Sequence, residues 1–482
     1  MSLNAKDGSD NSLIGPGLNR STLNMVAKRQ TPDWNRLDSI CGARYTVLIV
    51  GAGGSPFFFW AFLLAAVGQM LIAFSLAELA SAYPDASGQV YWTTAAVRNP
   101  RWKGFLSYFS GAMAFFGWIF ACGGGAVLAA QFITALGVLI NEMYNPSRWQ
   151  IYLLVIAVFL FAVLFNTILI QTLPAITLFM MIFLNAAALF IFITLLAKTH
   201  HKASPRTVFL DVRNETGWDS KVVVFFLCIM PGILTICLFD TAAHMAEELP
   251  QPERQVPIVM LANAGLAVVS ALIVVSALIM ICWDAWPNKG FVIAICLIYW
   301  ATILNALTSM LAGCSRLIWY FTKLGSLPCK AWFSHVHPTL HVPTNAVYFS
   351  AVLAILFSLL VFGLTTVLNG LFGSATLCFS LSYALPISLT LVDRARLPAQ
   401  RYCNTGAFST VVNTLALIWI VLAMTFASFP TYLPVTSETM NWAPCFFGIV
   451  LALRLGNWVL VRDSYQPPKG FLVLGLIRSQ YA

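Results

Sequence analysis

Charged side chains are scarce. Asp, Glu, Lys and Arg make up 9% of the 482 residues, against about 25% in an ordinary soluble domain. So small a charged fraction cannot cover a water-facing surface, which excludes a soluble enzyme or soluble binding module. No CxxC pair occurs among the eleven Cys, so neither a disulfide framework nor a zinc site is indicated. Cys122, Cys228, Cys237, Cys282, Cys296, Cys314 and Cys378 lie within apolar runs and read as small packing residues. The first 39 residues are polar and hold no early apolar core, so no cleaved signal peptide is expected. What is abundant is apolar: 59% of residues are hydrophobic, with 36 Phe and 15 Trp. Lipid is the solvent that such a chain fits. The net charge of +9 then needs no nucleic acid, because basic loops facing an anionic leaflet account for it.

A bilayer core needs about 20 apolar residues as helix. Runs of that kind fall at 56–82, 104–140, 149–168, 172–197, 222–241, 256–283, 290–315, 344–363, 366–392, 411–433 and 442–461. The stretch YTVLIVGAGGSPFFFW (45–60), short for a span, is the candidate for a twelfth crossing. If it crosses with the N-terminus inside, 19 of the 27 Lys and Arg fall on inside segments and 7 on outside loops. If it does not cross, the bias disappears, so charge favours a crossing. The outside loop 198–221 carries the sequon Asn214-Glu215-Thr216, with Asn214 a candidate glycosylation site.

Residues 45–60 look at first like a strand, a phosphate loop and a helix. The nucleotide reading fails, because a GxGxxG pattern from Gly51 requires glycine where Pro56 stands, and no Lys-Ser or Lys-Thr follows. Ser55-Pro56 instead reads as the cap and first position of the next helix. Gly51, Ala52, Gly53 and Gly54 then form either a turn between helices or a place where backbone closely approaches a ligand.

Several strings identify a family. SLAELASAYPDASGQVYW (75–92) closes the second span, and FDTAAHMAEELPQPERQVP (239–257) the sixth. SRLIWYFTKLGSLP (315–328), VHPTLHVPTNA (336–346), LSYALP (381–386) and NWAP (441–444) follow in order. Together they resemble the fungal amino acid/choline/GABA permeases of the amino acid–polyamine–organocation superfamily. The resemblance implies an all-α polytopic membrane protein of about twelve helices: two inverted repeats of five, plus two more. Repeat one is expected at about 40–197, repeat two at about 222–392 and the extra helices at 411–461, between cytoplasmic tails 1–39 and 462–482. Helices 1 and 6 are expected to be broken at mid-membrane with substrate between them. Helix 1 is shortened here, and the segment before the eighth span is compact. These departures leave two readings open: a divergent secondary transporter, or a non-transporting or truncated member such as a sensor.

The resemblance implies a small amine or amino acid substrate, such as GABA, choline or an amino acid. It further implies alternating access, H⁺ rather than Na⁺ as coupling ion, and the plasma membrane as location. No other cofactor, metal, nucleic acid or obligatory protein partner is indicated. The physics of a broken helix is independent of family: its exposed N–H groups suit a carboxylate and its free carbonyls an ammonium, while aromatic faces suit choline. Candidate substrate residues are Gly51, Ala52, Gly53, Gly54, Trp118, Leu238, Phe239 and Asp240. Asp240 carries a charge late in a span, where charge is costly and has a use. The resemblance implies that relatives usually have glycine where Leu238 stands, so Leu238 is expected to narrow the pocket. Candidate gate or structural residues are Glu78, His244, Glu247, Glu248 and Arg316. His244, Glu247 and Glu248 share one helical face, with a plain hydrogen-bond cluster favoured over a metal site. His335, His337 and His341 read as a solvated loop. Asp240 and Arg454 are the main charges within spans and make no catalytic set, so no enzyme is expected.

Overall fold

The computed structural model describes residues 52–141, 143–198, 204–246, 249–280, 289–340, 342–362, 366–398, 401–437 and 439–468. The tail 1–39, the stretch up to Gly51, and the candidates Glu247, Glu248 and His341 lie outside these residues. Helices dominate, and the only β-pairing among the described residues is a single bridge between Ala52 and Asn214. The elements are α1 Gly54–Ala82, α2 Gln89–Ala96, α3 Pro100–Ile140, α4 Arg148–Asn166 and α5 Leu173–Lys198. The short helices α6 Pro205–Phe209, α7 Lys221–Leu227, α8 Met230–Thr235 and α9 Thr241–His244 follow. Then come α10 Pro252–Met280, α11 Lys289–Lys323, α12 Lys330–Phe333, α13 Thr344–Ser358, α14 Val367–Val392, α15 Ser409–Ala427 and α16 Ala443–Val461.

Ten helices among the described residues are long and apolar enough to cross a membrane. They match ten of the eleven apolar runs, with α11 reaching eight residues past the expected end at 315. The remaining run, 222–241, is no single helix but the pieces α7, α8 and α9. The protein is thus a polytopic all-α membrane protein. Its outer surface agrees: Leu178, Phe179, Ile182 and Phe190 on α5 are more than half exposed. Such a face is stable only against hydrocarbon.

The core is built around α3, which packs on α2, α4, α11, α13, α14 and α16. Small residues let these helices approach. The Ser110 and Ser382 hydroxyls each donate to the other's backbone carbonyl, at 3.3 and 3.0 Å, where α3 crosses α14. This close approach of small polar residues is how helices associate in a medium with no hydrophobic drive between them. At Gly117 on α3 a side-chain carbon would stand 2.8 Å from the Phe379 ring. Helix starts follow local chemistry. Asn99 caps α3, with Pro100 just inside, and Ser147 and Gln150 form a capping box at α4.

The start of α1 differs from the expectation that Ser55 caps it. Gly53 is the cap, with φ 91°, and Ser55-Pro56 lie in the first turn. The reason is conformational: the left-handed turn suits glycine, and a side-chain carbon at Gly53 would stand 2.3 Å from the Phe57 ring.

Candidate functional site

The broken segment begins with a helix that runs out of hydrogen bonds. α8 ends at Thr235, and the backbone stays non-helical until α9 starts at Thr241. Pro231-Gly232, the expected breaker, lies in the first turn of α8, where the missing proline N–H costs nothing. The larger break comes later, at 236–240. A carbonyl freed at a helix end inside a membrane protein must find a donor. Gln69, buried in the apolar middle of α1, supplies one: its Nε2 donates to the Ile233 carbonyl at 3.2 Å. Gln69→Leu leaves that carbonyl without the bond. The expected loss is about 1–3 kcal/mol, read as a lower thermal midpoint of the purified protein; a midpoint equal to wild type contradicts the capping role.

Leu238 takes φ 67° within the break. Left-handed backbone is free for glycine and costly for a branched chain, so Leu238 stands where the backbone favours glycine. Immediately after it, Phe239 and Asp240 are 1% and 0% exposed. Gln89 of α2 donates its Nε2 to Asp240 Oδ2 at 2.5 Å. His244 Nε2 stands 3.6 Å from the same oxygen. Asp240 Oδ1 has no hydrogen-bond partner among the described residues, and neither have Gln89 Oε1, Thr93 Oγ1 or Trp118 Nε1. A chain of ring contacts runs from Phe239, the neighbour of Asp240 in sequence, to His244. Phe239 stacks on Tyr383 at 5.9 Å, Tyr383 on Phe379 at 5.8 Å, and Phe379 meets Trp118 edge-on at 5.5 Å. Trp118 also meets the His244 ring at 6.1 Å.

A buried carboxylate with only neutral groups, Gln89 and the Tyr383 hydroxyl, turned toward it is costly. A cation or a proton relieves that cost, and aromatic faces add attraction for a cation. The arrangement is therefore suited to binding an ammonium group. It contains no activated nucleophile, and no cluster of metal-ligating groups occurs among the described residues.

The other candidates lie elsewhere. Ala52, Gly53 and Gly54 sit at the N-terminal end of α1, against the 211–214 segment. The Ala52 carbonyl accepts a hydrogen bond from the Cys228 thiol at 2.8 Å. From Gly54 to Gln69, which is level with Ile233, α1 rises about 22 Å. The structure thus brings Trp118, Leu238, Phe239, Asp240 and His244 together, and leaves Ala52–Gly54 well apart from them.

Glu78 lies at the C-terminal end of α1, 2% exposed. Arg401 donates Nη2 and Nε to its Oε1 at 2.6 and 3.0 Å. Thr405 and Ser409 donate to Oε2 at 2.7 and 2.6 Å, and Arg394 is 3.8 Å away. Arg316, on α11, donates to the Ala312 carbonyl at 3.2 Å. In the 83–88 loop Asp85 accepts from Ser87 N–H and Oγ at 2.9 and 2.6 Å. Burial nevertheless pushes its carboxyl up from the ordinary aspartate value. Exposed Asn214 donates Nδ2 to the Trp218 carbonyl at 2.6 Å, and His337 Nδ1 pairs with the Thr339 hydroxyl at 3.0 Å.

Sequence reasoning missed Gln69, Gln89, Phe379, Tyr383 and Arg401. Gln69 carried a signal, as a lone amide in an apolar helix, and Gln89 stood inside a quoted motif string. Nothing in the sequence told which of the basic residues in 393–410 would face Glu78.

Known proteins place the whole chain in a family. The sequence model described as amino acid permease matches residues 37–452. The chain belongs to the amino acid permease family. A choline transporter of Saccharomyces cerevisiae is 28% identical over 415 residues, which is 82% of this chain and 73% of that protein. A putative amino acid/polyamine transporter of Macrophomina phaseolina is 26% identical, covering 82% of this permease and 92% of its relative. Amino-acid permease 2 of Neurospora crassa is 27% identical, over 90% and 85% of the two chains. This permease is therefore a multi-pass membrane transporter of a small molecule, and not an enzyme.

Proposed function

We propose that this permease carries a small amine-bearing solute, such as choline, GABA, a polyamine or an amino acid, across the plasma membrane by alternating access. The observation that carries the reading is Asp240: a fully buried carboxylate in a broken helix, one oxygen unpartnered among the described residues, set among aromatic rings. An ammonium supplies the missing positive partner, and the ring faces suit a methylated amine equally well. The names of the relatives, choline transporter and amino-acid permease, point to the same solutes. H⁺ is the coupling ion in this reading, because the carboxylate has an imidazole beside it. In this orientation Asn214 faces the outside, where a glycan would replace its bond to Trp218.

Expression in a permease-deficient yeast tests the reading. Uptake of at least one radiolabelled member of a panel of choline, GABA, polyamines and amino acids is expected above the empty vector. Absence of uptake for every member, with the protein present at the cell surface, sinks it.

A further inference from the structure

His244 closes α9 and is 1% exposed, next to the equally buried Asp240. Its Nδ1 lies 3.0 Å from the carbonyl oxygen of Ala86. A carbonyl oxygen only accepts, so Nδ1 carries the hydrogen. In a neutral imidazole the second nitrogen is then a bare acceptor. That nitrogen, Nε2, faces Asp240 Oδ2 at 3.6 Å and has no hydrogen-bond partner among the described residues. Two acceptors therefore confront each other in a buried site with no hydrogen between them. In low dielectric this arrangement is repulsive. One added proton reverses the sign. On Nε2 it makes an imidazolium beside a carboxylate; on Oδ2 it makes an acid that donates to Nε2.

We propose that His244 and Asp240 form a binding site for one proton, held between Nε2 and Oδ2, and that this is the proton the permease couples to its substrate. The coupling role rests on the transport reading above; the proton site itself rests on the tautomer alone. The proton comes from hydronium, which leaves as water, and no other bond is made or broken. Gln89 holds the same Oδ2 at 2.5 Å and keeps the carboxylate in place, while Oδ1 remains for the substrate. An ammonium at Oδ1 weakens the hold on the proton, and by linkage the proton weakens the hold on the ammonium by the same factor. Other titratable and charged groups lie around the pair. Cys237 on the preceding turn interacts electrostatically with Asp240, and the Tyr383 hydroxyl of α14 does so with hydrogen-bond character as well. Asp85 belongs to the loop that supplies Ala86 and is held by Ser87 and Tyr320 of α11. Arg316 is on the same α11. Gln89 from α2 and Trp118 from α3 are uncharged.

The test labels the full-length protein with ¹⁵N-histidine in lipid vesicles and follows its NMR signals from alkaline to acid pH. Among the six histidines, the signal missing from His244→Gln identifies His244. Wild type is expected to show the Nδ1–H tautomer at alkaline pH and to gain a proton at Nε2 on acidification. Asp240→Asn removes the carboxylate charge and is expected to alter that titration. An Nε2–H tautomer, or a midpoint indifferent to Asp240→Asn, overturns the proton site. A second arm loads proteoliposomes with a pH-sensitive dye and supplies radiolabelled choline, GABA or amino acids. The ratio of protons to substrate moved is expected to fall at least tenfold in His244→Gln; an unchanged ratio overturns the coupling role. If wild type moves no member of the panel, the transport reading and the coupling role fail together, and the NMR arm still decides the proton site.

Discussion

Asp240→Asn is expected to weaken substrate binding by at least about thirtyfold, the low end of the 2–5 kcal/mol lost when one partner of a buried charge pair is removed. The substitution is nearly isosteric. An asparagine can turn its carbonyl oxygen toward the Gln89 amide, so the contact between α2 and the broken segment survives. What disappears is the negative charge, and an N–H donor takes the place of the unpartnered Oδ1. A donor facing an ammonium repels it. The loss should therefore appear in KM for uptake and in the thermal shift produced by substrate, while the midpoint without substrate stays close to wild type. Asp240→Glu, which keeps the charge and moves it, is expected to fall between the two. A KM for Asp240→Asn within about threefold of wild type, a difference under about 1 kcal/mol, removes Asp240 from the substrate site.

Glu78→Ala is expected to be among the most destabilising single substitutions in the protein. Glu78 receives Arg401 and Thr405 from the segment that joins α14 to α15, and Ser409 from the first turn of α15. Arg401 is itself buried, its side chain 7% exposed against 2% for Glu78. Removing the carboxylate leaves a guanidinium with no counterion at that distance and frees two hydroxyls at once. Breaking a buried pair in this way costs about 3–5 kcal/mol, whereas an exposed pair is worth about 1 kcal/mol or less. Thermal unfolding of the detergent-purified protein reads the difference. The double variant Glu78→Ala, Arg401→Leu should recover part of the loss, because the stranded cation goes with its partner. A Glu78→Ala midpoint equal to wild type makes the contact a surface-grade pair and refutes the clamp.

The two sites differ in how much of them a reader of the chain could have found. Asp240 announces itself as a charge late in an apolar run, and its aromatic neighbour Phe239 is adjacent in sequence. Gln89 lies 151 positions away, and Phe379 and Tyr383 come from α14. Only packing of α2, α3 and α14 around the break brings these groups to one carboxylate. The Glu78 clamp is harder still. Arg394, Arg396 and Arg401 are equivalent in a charge count, yet Arg401 makes the short contact and Arg394 stands 3.8 Å off. Conversely, Gly53 and Gly54 looked like site residues because glycine permits close approach to a ligand. Here the same freedom serves the left-handed turn that starts α1, about 22 Å along the helix from Gln69.

By itself the sequence determined the solvent, the ten apolar runs that form long helices among the described residues, and the family. These follow from composition, from the length of apolar runs against the thickness of a bilayer, and from strings of adjacent residues, all of which are local properties of the chain. Only the tertiary structure decided where the run 222–241 unwinds, which amide caps the freed carbonyl, which arginine meets Glu78 and which tautomer His244 adopts. Each of those depends on a partner many residues away, held at hydrogen-bond distance. At that range a displacement of about 1 Å separates a bond from a void, and no pattern along one chain specifies it.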